Sequence, residues 1–586
     1  MANWYKMENA LKNSFVAGVE SVAAWADLLD AINVFPVADG DTGRNLSISL
    51  SPLRASNQPK EKIVHHLLLS ARGNSGNIAS RFFSSFYNAE NIFELAVCAE
   101  EGRAKAWQAV SNPRLGTMLS VFDVLADGLK QNDIASERKT ASIIIESMEK
   151  AVHETYELLP KLKNAGVVDA GALGIYIFFE GFFRALAGIT DNRRPVTEIF
   201  KNRLQISSSF KQDTEAGYCV DFVVNAPNSS PSELQKIIQS QESVTIIPDG
   251  DLYKIHLHTE DKDKIKSQMA ALGSMVNWED DNLATQIKEF MNVNPGQSLH
   301  IMTDAAGSVT RSDAKKYGIT LLNSYINVGE KSLPETFFHP EELYISMRQG
   351  IKASTSQSSV FERHQFYESV LNRFEKVLYL CVGSVFTGNY NVAMEWKSNH
   401  DLQNRFTVID SGAASGRLGT MVLATARYLA RTNDPGKTIE FAKDTVQNCE
   451  EYVFLDKLQY LAAGGRLSKT SAFFGDMMKM KPVISPQPEG AKKVGVVRTQ
   501  NDQVKMALEK MAASLQNDSK ALIMLEYSDN LDWVKSMVEP IVSKIYPQAE
   551  IILQPLSLTS GVHMGPGTWG VAFLPDIATS QNLNKY

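Results

Sequence analysis

Cysteine is scarce in this chain. Four occur among 586 residues (Cys98, Cys219, Cys381, Cys449), and their spacing suggests no pairing. That excludes a disulfide-stapled scaffold and fits a reducing cytoplasm, which is the expected location. Long apolar runs are missing too. The most apolar stretch, Ala172 to Ile189, carries Glu180 and Arg184 and reads as a buried helix, so no integral membrane segment is expected. The N-terminal Met-Ala-Asn-Trp-Tyr-Lys lacks the basic-then-apolar order of a signal peptide. Positive charge is not in excess. The formal net charge of −7 gives no nucleic-acid footprint. Internal repeats and low-complexity tracts are absent.

What is present fits a globular, multidomain protein. Hydrophobic residues make up 44% and charged residues 21% of the sequence. The length is too great for one core and predicts roughly three or four domains. Residues 1–195 read as all-α, with apolar residues at helical spacing in Leu11–Ala31, Lys60–Phe86 and Ile143–Leu162. A polar connector is expected from Asp191 to Glu215. Residues 210–292 alternate short strands (Tyr218–Val224, Leu252–His258) with helices, as a small α+β domain would. Residues 297–580 read as α/β with parallel strands, at Leu299–Thr303, Val377–Val382, Phe406–Ile409, Ala521–Leu525 and Glu550–Leu553.

The chemistry concentrates first in Asn33-Val-Phe-Pro-Val-Ala-Asp39-Gly-Asp41-Thr42-Gly-Arg-Asn45. Two carboxylates around one glycine suit a hard divalent cation that shares its shell with phosphates. Glycine lets the backbone turn and approach closely, although an Asp-Gly-Asp by itself is usually a plain turn. In Ala71-Arg-Gly73-Asn74-Ser75-Gly76-Asn77, glycines surround Asn and Ser, a composition that can present amides to phosphate oxygens. Gly116-Thr117-Met118-Leu119 and Ala165-Gly-Val-Val-Asp169-Ala-Gly171-Ala-Leu-Gly174 follow.

Together these four segments resemble the nucleotide-binding (DhaL-type) domain of dihydroxyacetone kinases, and more closely that of bacterial fatty acid kinase. The family loop reads roughly Asn-Val-(Phe/Tyr)-Pro-Val-Pro-Asp-Gly-Asp-Thr-Gly-Thr-Asn. This chain departs from it at Ala38 and Arg44. The resemblance implies an antiparallel helical barrel with ATP at its mouth. Asp39 and Asp41 would bind magnesium, with Asn33 a weaker candidate. Thr42, Asn45 and Ser75 would contact phosphates, and Gly73, Asn74, Gly76, Gly116, Thr117, Met118, Asp169 and Gly171 would line the nucleotide site. The family's further upstream aspartate is missing from Asn33-Val34-Phe35, which argues against dihydroxyacetone as substrate.

In the middle segment, Gly217-Tyr-Cys219-Val-Asp221-Phe222 precedes Lys254-Ile-His256-Leu-His258-Thr259. Residues two apart on a strand share a face, so His256 and His258 can converge. With Cys219 they make three zinc-type ligands, against the plain alternative of polar residues on a half-exposed strand. The same motifs resemble fatty acid kinase middle domains, linked to metal binding. A structural zinc is the expectation.

The C-terminal region resembles the DegV family, whose members bind fatty acids. The resemblance rests on Thr303-Asp304, Ser354-Thr355-Ser356-Gln357-Ser358, Val382-Gly383-Ser384-Val-Phe-Thr387-Gly388, Val408-Ile-Asp410-Ser411, Leu458 to Ser468 with Gly464-Gly465-Arg466, Lys481-Pro482 and His563-Met-Gly565-Pro566-Gly567-Thr568. A fatty acid needs an apolar tunnel and a polar end for its carboxylate. The substrate-binding set is Thr355, Ser356, Ser384, Thr387, Arg466 and His563, of which Arg466 and His563 stabilise charge and stand with Asp39 and Asp41 as catalytic candidates.

Kinase and carrier, generally separate chains in the family, thus look fused. The expected reaction moves the γ-phosphoryl of ATP to the fatty acid carboxylate. The alternatives are a non-catalytic lipid carrier and a kinase of a small hydroxylated metabolite such as glycerone. The resemblance also suggests a downstream acyltransferase as partner and a homodimer through the kinase domain.

Overall fold

The computed structural model describes residues 2–55, 58–110, 112–131, 137–191, 193–211, 217–291, 298–463 and 480–576. The chain divides into two compact units, residues 1–292 and 293–586.

The first unit opens with helices: α1 (Ala2–Ala31), α2 (Thr42–Leu50), α3 (Lys60–Ser70), α4 (Gly73–Phe86), α5 (Leu95–Ala109), α6 (Met118–Gln131), α7 (Arg138–Leu158), α8 (Pro160–Ala165), α9 (Ala170–Leu186) and α10 (Val196–Ile199). Neighbours pack in a circuit, α1–α2–α4–α5–α6–α7–α9, and α9 returns to α1. Aromatic residues fill the ring. Phe82 stacks on Phe122 with centroids 4.0 Å apart, and Phe15 meets Phe182 edge-on at 5.0 Å. Such pairs add about 0.5–1.5 kcal/mol each beyond their burial. The apolar α9 lies in this core, with its one buried acid, Glu180, held by Arg193 at 2.5 Å. Among the described residues no helix is long and apolar enough to cross a membrane.

The expected connector is partly structure. Phe200 is fully buried against His153 and Tyr176, and Val168 donates its amide to the Arg203 carbonyl. Polar neighbours hid the two apolar anchors, Val196 and Phe200, from a composition-based reading.

Next come β1 (Tyr218–Asn225), α11 (Pro231–Ile238), β2 (Glu242–Asp249), β3 (Leu252–Thr259), α12 (Lys262–Ala270), β4 (Ser274–Asn282) and α13 (Leu283–Met291). The sheet is antiparallel in the order β2-β3-β1-β4. Val220, Phe222, Val224, Ile255 and Leu257 bury one face beneath Leu234, Ile238, Ile265 and Met269 of the two covering helices. The other face is therefore free to carry polar residues of β1 and β3.

The second unit starts with β5 (His300–Asp304), α14 (Arg311–Tyr317), β6 (Ile319–Leu322), β7 (Tyr325–Val328), β8 (Lys331–Pro334), α15 (Pro340–Arg348), β9 (Ala353–Ser356), α16 (Val360–Arg373), β10 (Val377–Cys381), α17 (Asn389–His400) and β11 (Phe406–Asp410). The helices α18 (Ser415–Thr432) and α19 (Pro435–Asn448) lead to β12 (Glu450–Phe454), α20 (Gln459–Ala463), β13 (Lys481–Gln487), β14 (Gly490–Val497), α21 (Gln500–Ala512) and β15 (Leu522–Tyr527). It ends with α22 (Leu531–Trp533), α23 (Glu539–Ile545), β16 (Glu550–Pro555), α24 (Leu558–Met564) and β17 (Trp569–Leu574).

One subdomain is the expected parallel sheet, β11-β10-β5-β6. The other is a mixed sheet that contains the two further strands expected to be parallel, β15 and β16. Its six strands run β14-β13-β12-β17-β15-β16, and only β15 and β16 are parallel. Strand β13 carries Pro482 and Pro486, and β12 carries Glu450-Glu451, residue types depleted in strands, although Glu451 is fully buried.

Candidate functional site

The first unit contains a cavity of about 490 Å³. Its floor begins in the loop between α1 and α2. Asn33 donates Nδ2 to Asp39 Oδ1, which pins the loop across its base. Gly40 adopts φ +67, and a Cβ there would run into the Phe290 ring of α13, so only glycine fits. Val37 is buried with Cys219, Leu283 and Ile287. The small α+β domain thus backs the two aspartates directly.

Asp39 and Asp41 both line the cavity. Burial, and then the Asp41 charge, hold the Asp39 carboxyl well above the usual carboxylate range. A desolvated carboxyl beside a second carboxylate lacks positive charge, and a divalent cation supplies it. This donor set fits magnesium. Arg44 does not line the cavity; its guanidinium lies 3.5 Å from Asp41 and 3.6 Å from Asp281. Asp30, upstream of the loop, does not line the cavity. It accepts from the amides of Gly43 at 2.7 Å and Arg44 at 3.1 Å, and so fixes the start of α2.

Thr42, Gly73, Asn74 and Ser75 also face the cavity, the last three from the first turn of α4. A helix N-terminus offers unsatisfied amides and a positive dipole end to phosphate oxygens. Thr117 and Met118 line the wall from the start of α6, and Asp169 and Gly171 from the start of α9. Asp169 is the N-cap of α9, accepting from Ala172 at 2.7 Å, and burial pushes its pKa up to about 7. The expected glycine-rich loops are therefore helix starts.

Three expected residues do not reach the cavity wall. Asn45 lies behind Gly73, where a Cβ would strike its amide. Gly76 packs on Ser49, and Gly116 on Leu158. They shape the site from behind. Two cations that the sequence reading passed over do line it, Arg114 and Lys161, and Lys161 donates to the Pro36 carbonyl at 2.5 Å. The Pro160-Lys161 step directly upstream of the Asp169 segment was the signal.

Cys219, His256 and His258 lie on the same cavity. The β1–β3 register pairs Cys219 with His258 and Asp221 with His256, all on the face away from the helices. One ligand atom from each of the three metal-type residues lies within 4.8 Å of the others. His256 Nε2 and His258 Nδ1 are buried with no hydrogen-bond partner. Burial pushes His258 down to about 3, so its ring is neutral and able to ligate. Burial, and then Asp221, push the Cys219 thiol up, a penalty that a dication reverses. The donors fit zinc.

Asp221, to which the sequence reading gave no role, accepts from His256 Nδ1 at 3.1 Å and from the Gly73 amide at 2.9 Å. Burial would raise its pKa, but Lys254 and His256 hold it below the carboxylate range.

In the second unit, Thr355 on β9 and His563 on α24 are brought together, Oγ1 to Nε2 3.2 Å. Ser356 is not brought to this pair. Consecutive strand residues point to opposite faces, and its hydroxyl accepts from Asn327 Nδ2 at 3.3 Å on β7. Ser384 is exposed and Thr387 half-buried, in the loop before α17; Ser384 donates its amide to Asp410, and Thr387 Oγ1 accepts from the Asn389 amide. At Gly383 a Cβ would strike the Gly412–Ala413 backbone, so the family's serine does not fit this backbone. Arg466 lies outside the described residues.

Comparison with known proteins identifies the domains. The DegV family of uncharacterised proteins matches residues 298–576, the DAK2 domain 36–184, and the FakA-like fatty acid kinase middle domain 215–290. The protein YloV of Bacillus subtilis is 30% identical over 303 residues, 46% of this chain and 54% of its own length. An uncharacterized protein of Staphylococcus saprophyticus is 28% identical over 321 residues, 50% of this chain and 58% of its own. The chain spans little more than half the length of these curated relatives. Among solved structures, a DegV family protein from Thermus thermophilus, described by its fatty acid binding, aligns with TM-score 0.44 and 22% identity over 47% of this chain and 99% of its own. DegV of Bacillus subtilis, a fatty acid binding protein, aligns with TM-score 0.44 and 18% identity over 48% and 100%. This chain therefore joins, in one polypeptide, a DAK2 domain, a FakA-like fatty acid kinase middle domain and a DegV-family domain.

Proposed function

We propose that the chain transfers the γ-phosphoryl group of ATP to the carboxylate of a fatty acid held by its DegV-family unit, giving acyl phosphate and ADP. The observation that carries this reading is the cavity of the first unit. Asp39 and Asp41, the first turns of α4 and α6 and the capped start of α9 all face it. The match to a fatty acid kinase-like middle domain supports the acyl substrate over a triose.

The residues suit the chemistry. A carboxylate oxygen attacks the γ-phosphorus while the bond to the bridging β–γ oxygen breaks, and ADP carries that electron pair away. The nucleophile is already anionic, so no general base is needed, and catalysis rests on positioning and charge. Asp39 and Asp41 hold the magnesium that accompanies ATP, which neutralises phosphate charge when bound. The first turn of α4 receives phosphate oxygens on its amides and on Ser75. Thr42 adds a hydroxyl, and Lys161 and Arg114 add positive charge. Thr117, Met118 and Gly171 form the base pocket. In the second unit, Thr355 and His563 hold the fatty acid carboxylate through their hydroxyl and imidazole.

The middle domain's three ligands would hold zinc, which as a Lewis acid attracts oxygen ligands. A closed structural site has four protein ligands. Among the described residues only Cys219, His256 and His258 cluster in this way, and all three line the cavity. We therefore read the metal as open to the cavity, a change from the structural role expected from sequence. Joining kinase and carrier in one chain replaces diffusional encounter with an effective concentration, roughly millimolar for short linkers.

Denaturing mass spectrometry of the purified protein, followed by an ADP-release assay with the fatty acid found, tests this reading. A stoichiometric fatty acid and ADP release that depends on it are expected. ADP release with a triose or polyol instead would move the assignment to a small-metabolite kinase. Bound lipid with no turnover would leave a carrier.

A further inference from the structure

Four donors converge on Asp221. Its Oδ2 accepts from the Gly73 amide at 2.9 Å and from His256 Nδ1 at 3.1 Å. Its Oδ1 accepts from Asn77 Nδ2 at 3.1 Å and lies 3.2 Å from Lys254 Nζ. Asp221 is 8% exposed, and His256 is fully buried. Gly73 and Asn77 belong to the first turns of α4, whose Gly73, Asn74 and Ser75 face the cavity. His256 is a candidate metal ligand. One side chain therefore bonds at once to the metal site and to the helix start that faces phosphate.

Neither side has slack. Gly73 sits at φ +58 directly over the Asn45 amide, so the start of α4 cannot relax toward α2. Asn77 also bonds the Gly73 carbonyl at 2.7 Å, tying the first turn to the second. On the other side, the bond from His256 Nδ1 to Asp221 leaves Nε2 as the ligating nitrogen. A carboxylate behind a ligating histidine fixes its tautomer and orientation. Lys254 balances the Asp221 charge and is itself buried at 4% exposure.

We propose that Asp221 is a positioning residue that couples metal binding at Cys219, His256 and His258 to nucleotide binding at the start of α4, in both directions. This rests on reading the cavity as the ATP site. Metal ligation fixes the His256 ring, Asp221 passes that order to the Gly73 amide and Asn77, and the phosphate-facing amides of α4 are held for the nucleotide. Linkage makes the effect reciprocal: nucleotide must tighten metal by the same factor as metal tightens nucleotide, typically about 5–150-fold.

The test uses the full chain. Zinc affinity is measured by chelator competition with and without a non-hydrolysable ATP analogue at saturating magnesium. Analogue affinity is measured by calorimetry on zinc-free and zinc-loaded protein. Two equal factors above about fivefold are expected. Asp221→Asn should weaken zinc by about 10–100-fold and erase the cross-effect. Asn77→Ala, which cuts only the α4 side, should leave zinc affinity without nucleotide unchanged and shrink the cross-effect. A merely structural role would not separate the two numbers in this way. Zinc and analogue that both bind the wild-type chain yet ignore each other overturn the coupling while the ATP site stands. An analogue that does not bind the wild-type chain overturns both.

Discussion

Asp39 is the residue on which the phosphoryl-transfer reading turns. Burial and Asp41 raise its pKa, while Asn33 holds one of its oxygens. Replacing Asp39 or Asp41 with Asn keeps the volume and removes the charge that a cation needs. Turnover should fall by about a hundredfold or more, the scale set by loss of a preorganised electrostatic group. Fatty acid binding, measured by lipid mass spectrometry, should not change. At the other end of the chain, Thr355 and His563 are hydrogen-bonded at 3.2 Å. His563→Ala would leave a carboxylate head group short of a donor. Its affinity should drop by about 1–3 kcal/mol in a fluorescent fatty acid displacement assay. Most of these residues were legible as motifs. Asp221 stood within a motif, but its role was not legible, because two of its partners, Gly73 and Asn77, lie on α4, far away in sequence.

At the scale of elements, the start of α18 lies against two strands of the mixed sheet. Glu451 on β12 accepts from the amides of Gly416 and Arg417, and Glu526 on β15 from the hydroxyls of Ser308 and Ser415. Both acids are fully buried, and burial, then their mutual repulsion at Glu451, raises the pKa of each above 4.5. A carboxyl that binds its proton more tightly folded than unfolded contributes stability below the unfolded pKa. That contribution is lost as pH rises from about 4.5 through the raised folded value. Thermal unfolding of the second unit should therefore occur at falling temperature as pH rises above about 5. Glu526→Gln should flatten that slope. In the helical ring, Phe82 stacks on Phe122 and meets Phe179 edge-on. Phe82→Ala should cost about 3–5 kcal/mol in denaturant unfolding of the first unit. Helical periodicity revealed α1, α3, α4 and α7, and a continuous apolar run revealed α9, whereas β12 and β13 were hidden by acids and prolines whose burial only the packed sheet explains.

At the scale of the whole molecule, each of the two units, 1–292 and 293–586, carries its own cores. Expressed separately, each should give a cooperative unfolding transition by calorimetry. Mixed at micromolar concentration, the two halves should turn over more slowly than the intact chain, because the roughly millimolar effective concentration of the tether is gone. The sequence by itself determined the three kinds of domain and their order, the Asp39–Asp41 loop and the Cys219, His256, His258 triplet. Motifs of this kind are local, and short-range spacing fixes their chemistry. The tertiary structure alone decided that the loop and the triplet share one cavity, and that Asn45, Gly76 and Gly116 stand behind its wall. It also placed Asp221 between zinc-type ligands and a helix start. These are contacts between residues distant in sequence, set by strand register and helix packing, to which no local pattern responds.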